Sequence, residues 1–147
     1  MYPWAFDPAN TYQGYVRPRG ICINRPRLIG SIEVTPVPVL HAGVETNGYV
    51  FRKGNVRIGY ACDAVAVPDS SIPLFQGLDL LVLDCLRYDD HPTHMNLEHT
   101  LKVFEQTQPR QGLLTHMSHS FDFDELAQKL PPHISPAYDG LSLRFPL

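Results

Sequence analysis

LDLLVLDC, residues 78–85, is a nearly unbroken apolar run. Such a run marks a strand buried on both faces. Upstream, Tyr49–Phe51 and Val56–Cys62 flank Lys53-Gly54-Asn55, a turn signal that predicts a β-hairpin. Ser31 to Leu40 (SIEVTPVPVL) alternates apolar residues but carries two prolines, which suits a strand at a sheet edge. Downstream, Leu97, Leu101 and Phe104 recur at helical spacing after Asn96, so residues 96–107 read as a helix with Asn96 as N-cap. Gln111–Thr115 is a second short buried strand. Ser120 is the expected cap of a helix over 121–130, with Phe123, Leu126, Ala127 and Leu130 on one face and Pro131-Pro132 as its stop. Ile134–Ala137 and Leu141–Phe145 read as two closing strands around Asp139-Gly140. The order is that of an α/β protein, layered and mainly β-sheet, with two principal helices covering the sheet.

The 147 residues are 44% apolar and 18% charged, enough for a core and too ordered in pattern for intrinsic disorder. One domain fits this length. The net charge of −3 argues against a general nucleic-acid binder or an acidic-membrane binder. No run of about 18 apolar residues could span a bilayer, and MYPWAFDPAN has neither the basic nor the apolar region of a secretory signal. Cys22, Cys62 and Cys85 are an odd count without C-x-x-C spacing, which disfavours a disulfide scaffold. A reduced, cytoplasmic protein is the expectation. Residues 1–30, punctuated by four prolines, read as an irregular arm or insert before a domain at 31–147. Trp4, Phe6, Tyr12 and Tyr15 are expected to pack this arm against something. Arg17, Arg19, Arg25 and Arg27 are either a phosphate clamp or a solvated loop, with the latter favoured.

The polar residues of interest fall where strands end. His41, Asp63 and His116 each follow a predicted strand, and in layered α/β sheets chemistry collects at such ends. Two imidazoles and a carboxylate suit a partial shell for Zn²⁺ or Mn²⁺, although a strand-end histidine is more often a hydrogen-bonded structural residue. His94, in the loop HPTHMN at a helix N-terminus, is placed as a general acid or a donor to a developing charge. The alternative is a surface-loop histidine. His119 and Asp139 are candidate supports for the site, and Asp84 is either a further ligand or a strand-end carboxylate. His91, His99 and His133 read as surface residues. Cys62 and Cys85 read as small core residues, because alternation along the strand points Cys62 away from Asp63.

PVLHAGVETNGYVF, IGYACDA, LDLLVLDC, HPTHMN, LLTHMSHSFD and PAYDGLSL, taken in order, resemble the C-terminal part of a metallo-β-lactamase-fold hydrolase. The similarity is strongest to the phosphoribosyl 1,2-cyclic phosphate phosphodiesterase branch. The resemblance implies one half of an αββα sandwich. It implies that His41 is a histidine ligand of a first metal, Asp63 a carboxylate bridging two metals, and His116 the terminal histidine ligand of the second. His94 corresponds to the histidine beside the scissile phosphate. The implied function is metal-dependent hydrolysis of a phosphodiester on a small phosphorylated substrate, with Zn or Mn ions as cofactors.

The family's H-x-H-x-D-H signature is absent from these 147 residues. On that reading the chain is a truncated or split member, each metal keeps two ligands, and binding and activity of the isolated chain are weak. A missing N-terminal half, or a homo-oligomer, is then the expected partner, with no membrane and no nucleic acid. The competing expectation is a non-catalytic half-domain that serves as an interaction or self-associating module.

Overall fold

A computed structural model describes residues 23–146. One seven-stranded sheet is built in chain order from β1 (Arg27–Ile29), β2 (Ile32–His41), β3 (Val44–Lys53), β4 (Val56–Ala61), β5 (Leu80–Asp84), β6 (Gly112–Thr115) and β7 (Ile134–Pro136). β1 to β4 form an antiparallel meander, whereas β4 to β7 run parallel. Antiparallel neighbours can be joined by tight turns, and parallel ones need crossovers. Gly54 (φ 58°) accordingly turns β3 into β4, while helix α1 (Leu97–Thr107) links β5 to β6 and α2 (Phe123–Lys129) links β6 to β7.

Register assigns the two faces. Val50, Gly59, Leu81, Gly112 and Ile134 lie in one row across β3 to β7, and Ala61, Leu83, Leu114 and Pro136 in the next. This face carries the core, where Val37, Val39, Leu81, Leu83 and Leu114 are fully buried with Phe75, Phe104 and Leu126. Both helices therefore cover the same side. Two glycines in the row bring the covering rings close. A Cβ on Gly112 would meet the Phe104 ring at 2.8 Å, and one on Gly59 would meet Leu78 and Leu81 at 2.6 and 2.7 Å. The other face carries Phe51, Ile58 and Leu80 in one row and Tyr49, Tyr60, Val82 and Leu113 in the next. Tyr60 is 43% exposed there.

The helix over 96–107 and its cap are as expected: the Asn96 side chain accepts from His99 N–H at 2.8 Å. Four expectations need correction. The stretch read as an irregular arm contains β1, paired to the start of β2. β2 is consequently not an edge strand throughout; β1 reaches only Val34, and Pro36 and Pro38 lie beyond it, where a missing N–H costs nothing. Ser120 does not cap α2. Asp122 does, accepting from Glu125 N–H at 3.0 Å, because a carboxylate also meets the positive end of the helix. Leu141–Phe145 forms no strand; the turn closes by Leu141 N–H to Tyr138 O, and Leu141 and Leu143 then border a cleft with Leu113. The expected packing of Trp4, Phe6, Tyr12 and Tyr15 lies outside the described residues. No helix among the described residues is long and apolar enough to cross a membrane.

Candidate functional site

The ends of β2, β4 and β6 share a feature that the sequence does not display. Ala42 (φ 50°), Asp63 (φ 55°) and His116 (φ 61°) all occupy left-handed backbone. For a residue with a Cβ that conformation costs roughly 1–2 kcal/mol, and its recurrence at the same end of three alternate strands is the pattern of a functional site. The strain has a geometric consequence. Strand alternation no longer governs which way Asp63 and His116 point once the backbone has left the extended region.

Four histidine rings line this end of the sheet. The His94 ring neighbours those of His41 and His116, with centroid separations of 5.1 and 4.7 Å, and that of His91 at 5.1 Å, tilted by 38°. His116 Nε2 stands 3.4 Å from Asp63 Oδ1. His41 Nδ1 lies 2.9 Å from the Thr93 carbonyl, which can only accept, so the proton sits on Nδ1 and the Nε2 lone pair is free for a ligand role.

His94 is anchored from below. Its Nδ1 lies 2.7 Å from Oδ2 of Asp84, a carboxylate with no exposed surface that also accepts from Ala64 N–H at 2.8 Å. Burial pushes the Asp84 carboxyl above its ordinary value, opposed by the His94 contact and the Ala64 N–H. Its Oδ1 is buried without a hydrogen-bond partner among the described residues. Asp84 is thus a support for His94 rather than a free ligand.

The structure brings His41, Asp63, His94 and His116 to one end of the sheet, with Asp63 against His116 and His41 against His94. It does not bring Asp139 or His119 into hydrogen-bond contact with them; both are exposed. His99 and His133 are exposed as expected. Arg27 pairs with Val34, seven extended residues from His41, or roughly 23 Å at the usual strand rise, so it does not border the site. Arg17 and Arg19 lie outside the described residues.

Cys62 is the residue that sequence reasoning misplaced. Its Sγ, an Asp63 carboxylate oxygen and a His116 ring nitrogen all lie within 4.8 Å of one another, and Cys62 is only half-buried. Alternation predicted the opposite face; the left-handed Asp63 is why it fails. Cys85 is a buried core residue, as expected. As donors, an imidazole, a carboxylate and a thiol fit a divalent ion of the zinc type.

Comparison with known proteins bears on the family and the fold. Residues 4–117 match the family described as the β-lactamase superfamily domain. The crystal structure of a new diphosphatase from the PhnP family is 36% identical with a TM-score of 0.77, covering 84% of this chain and 47% of that one. The metallo-β-lactamase fold protein YhfI from Bacillus subtilis is 22% identical with a TM-score of 0.75, covering 89% of this chain and 57% of that one. A protein named octanoyltransferase from Porphyromonas gingivalis is 27% identical over 118 residues, which are 79% of this chain and 23% of that protein. The chain thus spans from about a quarter to somewhat over half the length of these relatives. With a family match over most of its length and the mixed sheet and helices that go with it, the chain belongs to the β-lactamase superfamily, on the metallo-β-lactamase fold.

Proposed function

We propose that this chain carries part of the active site of a metal-dependent phosphodiester hydrolase acting on a small phosphorylated substrate. The observation that supports it most is the convergence of His41, Asp63 and His116 on His94, itself held by the buried Asp84. The 36% identity to the diphosphatase favours a phosphate ester over other substrates of the fold.

A bound divalent ion supplies Lewis-acid polarisation of the phosphoryl group and lowers the pKa of water. Asp63 and His116 are the residues that would hold it together, and His41, which lies apart from that pair, would meet a second ion. His94 works differently. Asp84 fixes its Nδ1, so Nε2 is the nitrogen left to face the substrate and hand a proton to the leaving oxygen. Asp84 is a positioning residue, orienting the ring and stabilising its protonated form.

The test is hydrolysis of bis(p-nitrophenyl) phosphate with Zn²⁺ or Mn²⁺, by the chain alone and with a polypeptide that carries H-x-H-x-D-H. Slow turnover alone, acceleration by the added polypeptide and loss of both in His94→Ala are expected. Equal rates for His94→Ala and the parent chain would remove the reading.

A second reading, an interaction or self-associating module, is favoured by one observation: the sheet face away from the helices shows Tyr60 at 43% exposure beside Val82 and Ile58. Sedimentation decides it, since a dimer at micromolar concentration that is lost in Tyr60→Lys supports it and a monomer throughout does not.

A further inference from the structure

The sequence offers two family ligands for each ion, too few for a retained metal. The structure puts one more donor atom, the Cys62 sulfur, beside the Asp63–His116 pair. We propose that Cys62 joins Asp63 and His116 as a protein ligand of a single-ion site, and that this site takes Zn²⁺ in preference to Mn²⁺. The inference rests on the metal-site reading above but concerns donor identity and metal class, not turnover.

Three observations carry it. The sulfur, a carboxylate oxygen and a ring nitrogen stand within 4.8 Å of one another, and Asp63 Oδ1 to His116 Nε2 is 3.4 Å. Two oxygen or nitrogen donors each about 2.0–2.1 Å from a tetrahedral ion stand roughly 3.4 Å apart, so one edge of the polyhedron is already at its working length. A thiolate binds zinc at about 2.3 Å, and the half-buried Cys62 side chain is not locked into the core.

The backbone is the second observation. Asp63 and His116 both sit at positive φ, 55° and 61°, just past the ends of β4 and β6, which flank β5. The turn at Asp63 allows consecutive side chains to converge, which an extended strand forbids. A merely structural Cys-Asp pair has no need of it.

The environment is the third. Asp63 and His116 are exposed, so an ion has a way in and a fourth position stays open. Three protein ligands with one open position is the make-up of a catalytic zinc site, and thiolate selects zinc over the harder manganese.

The experiment uses the full 147-residue chain, titrated with Co²⁺, Zn²⁺ or Mn²⁺ alone after chelator treatment. Co²⁺ is expected to produce thiolate-to-metal charge-transfer absorption with tetrahedral ligand-field bands, displaced by Zn²⁺ and not by excess Mn²⁺. Cys62→Ser should abolish the charge-transfer band and weaken Zn²⁺ binding at least about tenfold, while Cys85→Ser leaves the band intact. A second measurement needs no variant: Zn²⁺ should slow alkylation of Cys62, mapped by peptide mass, at least about tenfold. Co²⁺ binding without a charge-transfer band, or undiminished alkylation with Zn²⁺ bound, overturns the role of Cys62 and leaves the hydrolase reading standing. No binding of any of the three ions overturns the single-ion site, and the complementation assay then decides the hydrolase reading alone.

Discussion

The two faces of the sheet are made from the same strands and differ in what they ask of the sequence. On the helix-covered face the side chains at Val37, Val39, Leu81, Leu83 and Leu114 lose all solvent contact. Three of its inward positions, Gly48, Gly59 and Gly112, are glycines that make room for neighbouring side chains. On the opposite face Tyr60 keeps 43% of its surface and Ile58 and Val82 are half-buried, although the residues are as apolar. The chemistry also divides: Asp84 and Cys62 belong to the open face, and Cys85 to the covered one, one residue away from Asp84. Composition alone therefore does not say where energy is stored. Packing does, and substitutions on the two faces should differ several-fold in effect.

The largest loss is expected from Phe104→Ala. Phe104 is 1% exposed and its ring lies over Gly112, so truncation removes transfer free energy and leaves a cavity the rigid sheet cannot fill. A cost of about 3–5 kcal/mol is expected from urea unfolding followed by circular dichroism. That is a large part of the total stability of about 5–15 kcal/mol usual for a domain. A loss below about 1 kcal/mol would mean that α1 is not seated on the sheet as described.

This face was the legible one. LDLLVLDC announced a strand buried on both sides, and Leu97, Leu101 and Phe104 announced the helix that covers it, because burial by regular elements writes a period into the sequence. The ends of strands write none. The hairpin between β2 and β3 turns through Ala42-Gly43, with Ala42 at φ 50°, a residue no turn signal would nominate. β1 is three residues long and exposed at each of them, too short for any period. His41, Asp63, His94 and His116 were identifiable as residues at strand and loop ends. Their supports, Thr93 to His41 and Asp84 to His94, come from contacts 52 and 10 residues apart in the chain. Cys62 was misplaced because alternation was extended one residue past the point where the backbone abandons it.

Asp84 tests the junction between site and core. Asp84→Ala leaves the Ala64 N–H buried without an acceptor and should cost about 1–3 kcal/mol in urea unfolding. Asp84→Asn keeps an acceptor for that N–H and removes a buried charge, so stability should stay within about 1 kcal/mol of the parent. Hydrolysis by the complemented enzyme should nevertheless fall in Asp84→Asn, since an amide cannot stabilise protonated His94. Unchanged turnover in a stably folded Asp84→Asn would detach Asp84 from the chemistry.

The two cysteines compare the faces directly. Burial pushes the Cys85 thiol from its usual 9.0 up to about 12, opposed by the Thr100 hydroxyl. A thiol with a raised pKa stabilises the fold fully below about 9, and that contribution is lost as pH climbs from about 9 to about 12, because the unfolded chain ionises first. Stability measured against pH should therefore fall across this window, and the fall should be absent in Cys85→Ala. In native protein at pH 8, iodoacetamide should label Cys62 and spare Cys85. Equal labelling would show that the covered face opens as readily as the open one.

The smallest effect is expected from Tyr60→Thr. Tyr60 pairs in register with Tyr49 and Val82 on the open face. Threonine keeps the strand preference of a β-branched residue while removing the ring, so the substitution probes coverage and little else. With 43% of the residue already in water, the change in unfolding free energy should stay within about 0.5 kcal/mol, against several for Phe104→Ala. The comparison is sharpest when made twice, with the chain alone and with the H-x-H-x-D-H polypeptide added. If that polypeptide packs on this face, Tyr60→Thr becomes costly only in its presence, lowering the affinity of the added polypeptide while the free chain unfolds as before. A loss of more than about 2 kcal/mol in the chain alone would instead show that the open face is already covered in solution. Concentration dependence of the unfolding midpoint then separates the two ways of covering it: a second copy makes the midpoint rise with protein concentration, and a segment of the same chain leaves it unchanged.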